Sequence, residues 1–366
     1  TWRFQTVQQP GVIKTAPVDG EDEVDPGQSL QITFASPMQR DGFLDHLTIT
    51  PEVTGVYTYW SESDTRVEIN FKQEPVSAYD IRLDGATPDK YGAPLGQVAR
   101  IRFTTGDLAP FASLNTTGRL GTFSAYTETV VYASHRNVSS LNLVLYKMPL
   151  RTFMQLNSSW EGWEQYVPDE EDLVRSWSQR VTTPRNQIGL ARLALTADED
   201  QPLPPGLYYL LLTAPELVGE QREPVLSRTM FVKSKLNLAL KQTHSEALTW
   251  ATDLATGQPV ARLAVTLYDN GTERASGATG PDGLYLAPDL GLKDLWQAFF
   301  AVSGEPDDED FGIAFNGWDS GISPWDFGVD SEFWTSRYQG YLYTDRPIYR
   351  PGQTVYFKGI VRADDD

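Results

Sequence analysis

The chain has 366 residues, of which 40% are apolar and 12% aromatic, enough for about two to four packed domains. Its formal charge of −19 excludes nucleic acid as an expected partner, because phosphate binding depends on clustered Lys and Arg. The absence of cysteine excludes disulfides, thiolate metal sites and a cysteine nucleophile. No run approaches the ~20 apolar residues that cross a bilayer, so no membrane-spanning helix is predicted.

Short alternating strands are predicted from Val12 to Thr105. The apolar residues that share one strand face are Leu30, Ile32 and Phe34 in one segment and Val67, Ile69 and Phe71 in another. Turn residues, such as Asp25-Pro26-Gly27, separate these segments. This pattern predicts a β-sandwich of about 100 residues. The stretch TAPVDGEDEVDPGQSLQITFASPM with a closing IRFTT resembles the bacterial Ig-like domain, which we assign to residues 1–107.

Residues 108–235 form the second predicted domain. Strands are expected at Thr129–Ala133, Leu141–Lys147 and Leu207–Thr213. The last of these is apolar on both faces, which suits a central strand covered on both sides. Residues 168–181 are predicted to form a short helix, because acidic residues come early, arginines come late, and apolar residues recur at helical spacing.

Residues 236–335 form the third predicted domain, in which strands alternate with turns. Turns are predicted at Asp269-Asn270-Gly271 and at Pro281-Asp282-Gly283. The wording TDLATGQPVARLAVTLYDNG, followed by TGPDGLY, resembles a macroglobulin-type β-sandwich. The second and third domains are therefore expected to be macroglobulin-like, and the fold class is mostly β, in tandem Ig-like and macroglobulin-like sandwiches with one short helix in the second.

The segment YLYTDRPIYRPGQTVYFKGIVR, within residues 336–366, pairs a specific turn with a strand. Pro351 presets φ for the second turn position and Gly352 accepts the left-handed third position. The strand that follows places Val355, Phe357 and Val361 on one face. This wording resembles the start of a macroglobulin domain in bacterial alpha-2-macroglobulins, so these residues are expected to open a further domain that the chain does not complete.

The acidic and the aromatic clusters of the sequence each have both a chemical and a structural interpretation. The acidic run Glu305–Asp310 offers oxygen ligands for calcium but lacks the spacing of a calcium loop, so a solvated loop is preferred. Asp364–Asp366 are interpreted in the same way. A set of aromatic residues could form a surface that stacks on carbohydrate, or could pack a long loop against the sandwich. Packing is the preferred interpretation. They are Phe311, Phe315, Trp318, Trp325, Phe327, Phe333 and Trp334, with Trp160, Trp163 and Trp177 treated alike.

No catalytic pattern is found in the sequence. His46, His135 and His244 are too far apart in sequence for metal-ligand spacing, and no nucleophile elbow or phosphate loop is present. We therefore assign no residue a catalytic, cofactor-binding or metal-binding role, and no cofactor is expected. Four N-glycosylation patterns, at Asn115, Asn137, Asn157 and Asn270, are short enough to arise by chance.

The family resemblance implies a function outside catalysis. In alpha-2-macroglobulins a protease cleaves a bait region and is trapped when the inhibitor changes shape, in many members with covalent capture by a Cys-containing thioester. This chain has no cysteine and hence no thioester. The resemblance implies the N-terminal scaffold of a broad-range endopeptidase inhibitor in the periplasm, at the cell surface or secreted, with target proteases as partners and possible membrane anchoring outside this chain. The alternative is a surface adhesin or glycan-binding protein.

Overall fold

Strands dominate the chain in the computed structural model, with 49% strand and 6% helix. The residues that the structure describes are 8–116, 120–158, 160–198, 201–219, 225–317, 338–346, 348–350 and 352–363. The predicted mostly-β class is confirmed. Within these ranges, no helix is both long enough and apolar enough to cross a lipid bilayer.

The first sandwich has two four-stranded sheets, with strand orders β1-β3-β6-β5 and β2-β8-β7-β4. Its strands are β1 (Val12–Ala16), β2 (Glu21–Val24), β3 (Leu30–Phe34), β4 (Leu47–Thr50), β5 (Tyr57–Trp60), β6 (Arg66–Asn70), β7 (Ala78–Leu83) and β8 (Ala99–Thr105). The alternating apolar residues of β3 and β6 are buried between the sheets, as the sequence predicts. The predicted turn at Asp25 also forms, since Gln28 N–H donates to the Asp25 carbonyl at 2.9 Å.

The second sandwich packs a five-stranded sheet, β10-β16-β15-β12-β13, against a three-stranded sheet, β14-β11-β9. Its strands are β9 (Phe111–Leu114), β10 (Leu120–Ser124), β11 (Thr129–Arg136), β12 (Ser140–Lys147), β13 (Leu173–Arg180), β14 (Gly189–Leu195), β15 (Gly206–Thr213) and β16 (Ser227–Ser234). The helices α1 (Leu150–Ser158) and α2 (Trp160–Gln165) follow β12. The three strands predicted from the sequence are all present.

The helix predicted at 168–181 is wrong. A 3₁₀ turn at Glu170–Asp172 leads instead into β13, an edge strand that pairs antiparallel with β12 and places Trp177 opposite Leu143. Trp177 and Gln179 are half-buried and alternate with exposed Ser176 and Ser178, which is a two-residue period. The strand forms because pairing with β12 outweighs the helical spacing of the apolar residues in this segment. The helical residues of this region are those of α1 and α2.

The third sandwich packs the sheet β17-β18-β21 against the sheet β20-β19-β22-β23. Its strands are β17 (Leu236–Gln242), β18 (Ala247–Asp253), β19 (Ala264–Asp269), β20 (Thr272–Ala278), β21 (Leu284–Ala287), β22 (Phe299–Ser303) and β23 (Gly312–Phe315). The predicted turn between β19 and β20 forms with Asn270 at φ 49° and Gly271 at φ 77°. Two left-handed residues in sequence are typical of a type I′ hairpin turn.

A separate antiparallel hairpin joins β24 (Tyr338–Thr344) to β25 (Phe357–Ala363). The turn before β25 closes as predicted, because Gln353 N–H donates to the Arg350 carbonyl at 3.1 Å and Gly352 has φ 86°. Apolar side chains on this hairpin are exposed, including Leu342 and Val361. A two-stranded hairpin lacks the third strand that independent stability usually requires.

Candidate functional site

The connection between the first and second sandwiches, here called the first junction, is fastened by polar groups. Residues 106–110 link β8 to β9. Within this link, Leu108 N–H donates to Asn186 Oδ1 at 2.8 Å, and Asn137 Nδ2 donates to the Leu108 carbonyl at 2.7 Å. Asn137 and Asn186 also bond each other twice, with both distances 2.8 Å. The link is thus held to two turns of the second sandwich.

An ion pair completes the first junction. Arg185 pairs with the carboxylate of Asp107, whose other oxygen accepts from Asn186 Nδ2 at 2.9 Å. Hydrogen bonds from Arg185 and then Asn186 lower the pKa of Asp107 below its ordinary value. Asn137 and Asn186 have φ values of 52° and 63°, a left-handed conformation that Asn tolerates better than most residues.

No apolar core crosses the first junction among the described residues. The buried cluster of the first sandwich draws its members from Val24 to Phe103, whereas the main cluster of the second draws its members from Ala112 to Phe231. Hydrogen bonds that exchange for water contribute only about 0.5–1.5 kcal/mol each. The first junction therefore orients the link without burying a shared apolar surface.

The connection between the second and third sandwiches, here called the second junction, is an apolar core. A single residue, Lys235, separates β16 from β17. Phe153 of α1 meets Phe300 of β22 edge-on at 6.4 Å, and Phe300 stacks on Phe315 at 5.2 Å. The buried cluster here includes Met148, Phe153, Met154, Leu156, Trp163, Leu207, Tyr209, Met230 and Val232 from the second sandwich, and Ala298, Phe300, Val302, Phe311 and Ile313 from the third.

Strand β15 serves two cores at once, as its apolar sequence predicts. Tyr208 and Leu210 pack into the second sandwich's own core, whereas Leu207 and Tyr209 pack into the second junction. Residues that alternate along a strand point to opposite faces of the sheet. The run GLYYLLL therefore has no polar face, because both of its faces are covered by protein.

The acidic run Glu305–Asp310 lies at the rim of the second junction. Its side chains are mostly exposed, in agreement with the predicted solvated loop. Two of its carboxylates also reach across to the second sandwich: Asp307 pairs with Lys147 at 2.6 Å, and Glu309 pairs with Lys235. Exposed ion pairs such as these contribute about 0–1 kcal/mol each to the free energy of unfolding, so they add little stability to the second junction.

Two further hydrogen bonds cross the second junction. Ser234 Oγ donates to the Phe311 carbonyl at 2.6 Å, and Tyr126 Oη donates to Asp253 Oδ2 at 2.5 Å. The hydrogen bond from Tyr126 is the largest cause that lowers the pKa of Asp253, and the same bond raises the pKa of Tyr126. Each sandwich thus contributes side chains and backbone to the same interface.

Lys233 is a buried lysine in β16, and its hydrogen-bond partners lie within the second sandwich. It is 1% exposed, and its Nζ donates to Thr129 Oγ1 at 2.6 Å and to the Thr127 carbonyl at 3.2 Å. Burial lowers the pKa of Lys233, because charge is poorly solvated away from water. Both of these acceptors are neutral oxygens of the second sandwich.

The three histidines are not brought together. His135 is buried, its Nδ1 lies 3.2 Å from Thr183 Oγ1, and burial lowers its pKa. His244 Nδ1 lies 2.8 Å from the Leu292 carbonyl, and His46 ends a 3₁₀ turn in the first sandwich. Within the part of the chain that the structure describes, no three His, Cys, Asp or Glu side chains are grouped to hold a metal ion.

The predicted aromatic cluster is packed where the structure describes it. Phe311 is fully buried and Phe315 stacks on Phe300. Trp163 meets Tyr209 edge-on at 5.4 Å, and Trp177 lies under Arg175. The other members lie outside the described residues or the described side chains, namely Trp160, Trp318, Trp325, Phe327, Phe333 and Trp334. The acidic residues Asp364–Asp366 also lie outside.

The sequence patterns indicate β15 and the packed aromatic residues of the second junction, but they do not indicate the polar residues of the first junction. The sequence marks Asn137 only as part of an N-glycosylation pattern, whereas in the structure its side chain forms hydrogen bonds in the first junction. Among the other sequon residues, Asn157 Nδ2 caps the Phe153 carbonyl in α1, and Asn115 lies just after β9. The sequence does carry a signal for Asn137 and Asn186, because Asn between two strands often occupies a left-handed turn position.

Comparisons with known proteins match both ends of the chain. Residues 6–105 match the Bacterial Ig-like domain, and residues 339–366 match the MG2 domain. The alpha-2-macroglobulin of Ralstonia nicotianae is 28% identical over 168 residues, which is 44% of this chain. These matches make the chain similar to members of the alpha-2-macroglobulin family. It spans only 8% of the length of that curated relative.

Solved structures of the family have the same fold. Salmonella alpha-2-macroglobulin, as the mutant Y1175G, superposes with a TM-score of 0.67 at 16% identity, covering 97% of this chain and 21% of that one. The Salmonella protein reacted with methylamine gives a TM-score of 0.66 at the same identity and coverage. This chain therefore shares the fold of these structures along nearly its whole length.

Proposed function

We propose that this chain is the N-terminal scaffold of a broad-range endopeptidase inhibitor that traps proteases after bait cleavage. The observation that carries the proposal is the MG2 match at residues 339–366, because it continues a series of sandwiches that has the family fold. The curated relative named alpha-2-macroglobulin supports it. The role of the chain is mechanical rather than enzymatic, and its partners are target proteases engaged by other parts of the inhibitor.

The domain organisation that goes with this role has boundaries after residues 107, 235 and 335. The first domain is the Ig-like sandwich, the next two are macroglobulin-like, and residues 336–366 begin another. The hairpin of β24 and β25 supports the last assignment, because its exposed apolar side chains need further strands to cover them.

The two junctions give the scaffold unequal stiffness. The second and third sandwiches share an apolar core and act as one rigid arm, since large hydrophobic interfaces suppress domain motion. The first sandwich is attached through one link and a polar network, and it pivots on the arm. When the inhibitor changes shape around a protease, the rigid arm transmits that movement. The first sandwich moves independently of the arm, because only one link and a polar network attach it. We place this scaffold outside the cytoplasm, in the periplasm, at the cell surface or secreted.

The trapping proposal is tested with the intact inhibitor and several unrelated endopeptidases. Each protease is assayed on a large protein substrate and on a small peptide substrate. Large proteins cannot reach the active site of a trapped protease, whereas small peptides can. We therefore expect hydrolysis of the large substrate to fall while hydrolysis of the small substrate continues. Equal loss of both activities, or no loss of either, would contradict trapping.

A further inference from the structure

A cleft of about 390 Å³ lies where the end of α1 meets the loops at one end of the third sandwich. Its volume is in the range of small-molecule sites. Four amide side chains and two aromatic rings line it, from Asn157, Asn270, Gln297, Asn316, Trp296 and Phe315. None of the described residues that line it is charged.

The frame of this cleft is fixed by hydrogen bonds. Asn316 uses its whole side chain, with Oδ1 accepting from Phe299 N–H at 2.9 Å and Nδ2 donating to the carbonyls of Leu295 and Gln297. Asn270 occupies a left-handed turn position, and its N–H donates to the Ala298 carbonyl at 2.8 Å. The loops that carry the cleft are therefore held in place before any ligand arrives.

Several polar groups in the cleft are available to a ligand. The side chains of Asn270 and Gln297 form no hydrogen bond with another residue in the described ranges, and Asn157 uses only its Nδ2 there. Each amide offers a carbonyl acceptor and an NH₂ donor in one plane. Trp296 is 72% exposed, so it presents apolar ring surface beside these amides.

We propose that this cleft binds a neutral oligosaccharide. A sugar ring has an apolar C–H face that suits an indole and hydroxyl groups that both donate and accept, which suits planar amides. An anionic or cationic ligand would find no counter-charge among the described lining residues and would lose hydration there without compensation. Acetamido groups pair especially well with Asn and Gln, so N-acetylated sugars are the preferred class.

This inference is independent of protease trapping. Phe315 and α1 also belong to the second junction, whereas Trp296, Asn270 and Gln297 belong to loops at the end of the third sandwich. The binding test changes only these loop residues. The loss of sugar binding would leave the trapping assay unchanged. A failed trapping assay would equally leave sugar binding standing.

The test is calorimetric titration of this chain with a chito-oligosaccharide and with a cello-oligosaccharide of equal length. We expect the chito-oligosaccharide to bind more tightly. Trp296→Ala and Gln297→Ala should each weaken binding at least about tenfold, roughly the effect of 1.4 kcal/mol. Trp250→Ala is the matched control, because Trp250 is an exposed indole of the third sandwich outside the cleft.

Three results would overturn the proposal. They are no binding of either sugar, binding that Trp296→Ala and Gln297→Ala leave unchanged, and an equal loss in Trp250→Ala. Asn270→Asp provides a second test, since Asp tolerates the left-handed position and adds one negative charge. It should weaken binding of both neutral sugars without lowering the thermal unfolding midpoint, and an unchanged affinity would count against the cleft.

Discussion

The two junctions of this chain join similar sandwiches by opposite means. At the first junction, residues 106–110 are tied to Asn137 and Asn186 by hydrogen bonds, and the cores on either side stay separate. At the second, one residue connects the sandwiches and one buried cluster belongs to both. Tandem β-domains of one chain are therefore joined here by two kinds of chemistry, a polar network at one junction and an apolar core at the next.

The difference arises from local sequence. The second junction forms because β15 is apolar on both faces. One face packs into the core of the second sandwich, and the other packs with Phe153 of α1 into the second junction. The first junction has turns rich in Asn and charged residues at the corresponding place. Burial of apolar surface contributes roughly 25 cal/mol per Å² to the free energy of unfolding, whereas each hydrogen bond of a polar network contributes only about 0.5–1.5 kcal/mol.

The largest expected effect is that of Phe300→Ala in the second junction. Removing this fully buried ring should cost about 3–5 kcal/mol of unfolding free energy and should destabilise the second and third sandwiches together. Denaturant unfolding, followed by amide exchange in each sandwich, measures this. Phe34→Ala, in the core of the first sandwich, is the control and should affect that sandwich alone. Loss of protection confined to the third sandwich would contradict a shared core.

A smaller effect is expected for Asn186→Gly in the first junction. Glycine keeps the left-handed backbone but removes hydrogen bonds to Asp107, Leu108 and Asn137, so the loss should be about 1–2 kcal/mol. Asn270→Gly is a matched control, since Asn270 is also left-handed but its side chain bonds no other described residue. Denaturant unfolding compares the two. Equal effects would show that the Asn186 network contributes nothing.

Lys147→Met should have a still smaller effect at the rim of the second junction. Its ion pair with Asp307 is half-exposed, so its loss should cost under about 1 kcal/mol and less at high salt. Thermal unfolding at low and high salt concentration measures the difference. A cost comparable to that of Phe300→Ala would mean that charge, rather than the apolar core, holds the sandwiches together.

The smallest effect is a pH response at the first junction. The pKa of Asp107 is lowered by Arg185, so the folded state favours its ionised form. The stabilisation is full above the ordinary carboxyl pKa and is lost as pH falls through the lowered value. We expect exchange of the Leu108 amide, corrected for intrinsic rate, to become less protected under those acidic conditions. Asp107→Asn should abolish this response, and an unchanged response would assign it to another group.

Much of the fold could be predicted from the sequence. The alternating residues of β3 and β6, the hairpin at Asn270-Gly271 and the doubly covered β15 follow from periodicity and turn chemistry alone. The error at 168–181 shows the limit of that approach. The spacing of Val174, Trp177 and Val181 fits a helix. The segment forms a strand instead because it pairs with β12, which lies more than 25 residues earlier in the sequence.

The junctions could not be predicted in the same way. Asp107, Asn137 and Asn186 come from three separate loops, and only the completed second sandwich brings them within hydrogen-bond distance. The acidic loop was correctly predicted to be solvated, but its pairing with Lys147 depends on how the third sandwich docks. Local sequence predicts strands well, whereas contacts between domains depend on the whole arrangement.

Spin-label distance measurements test the central claim most directly. The chain has no cysteine, so pairs of introduced cysteines carry the only labels. Tyr59→Cys with Leu190→Cys spans the first junction, and Leu190→Cys with Leu286→Cys spans the second, all at exposed positions. We predict a broad distance distribution across the first junction and a narrow one across the second. Equal widths, or a broader distribution across the second junction, would contradict a rigid arm with a pivoting first sandwich.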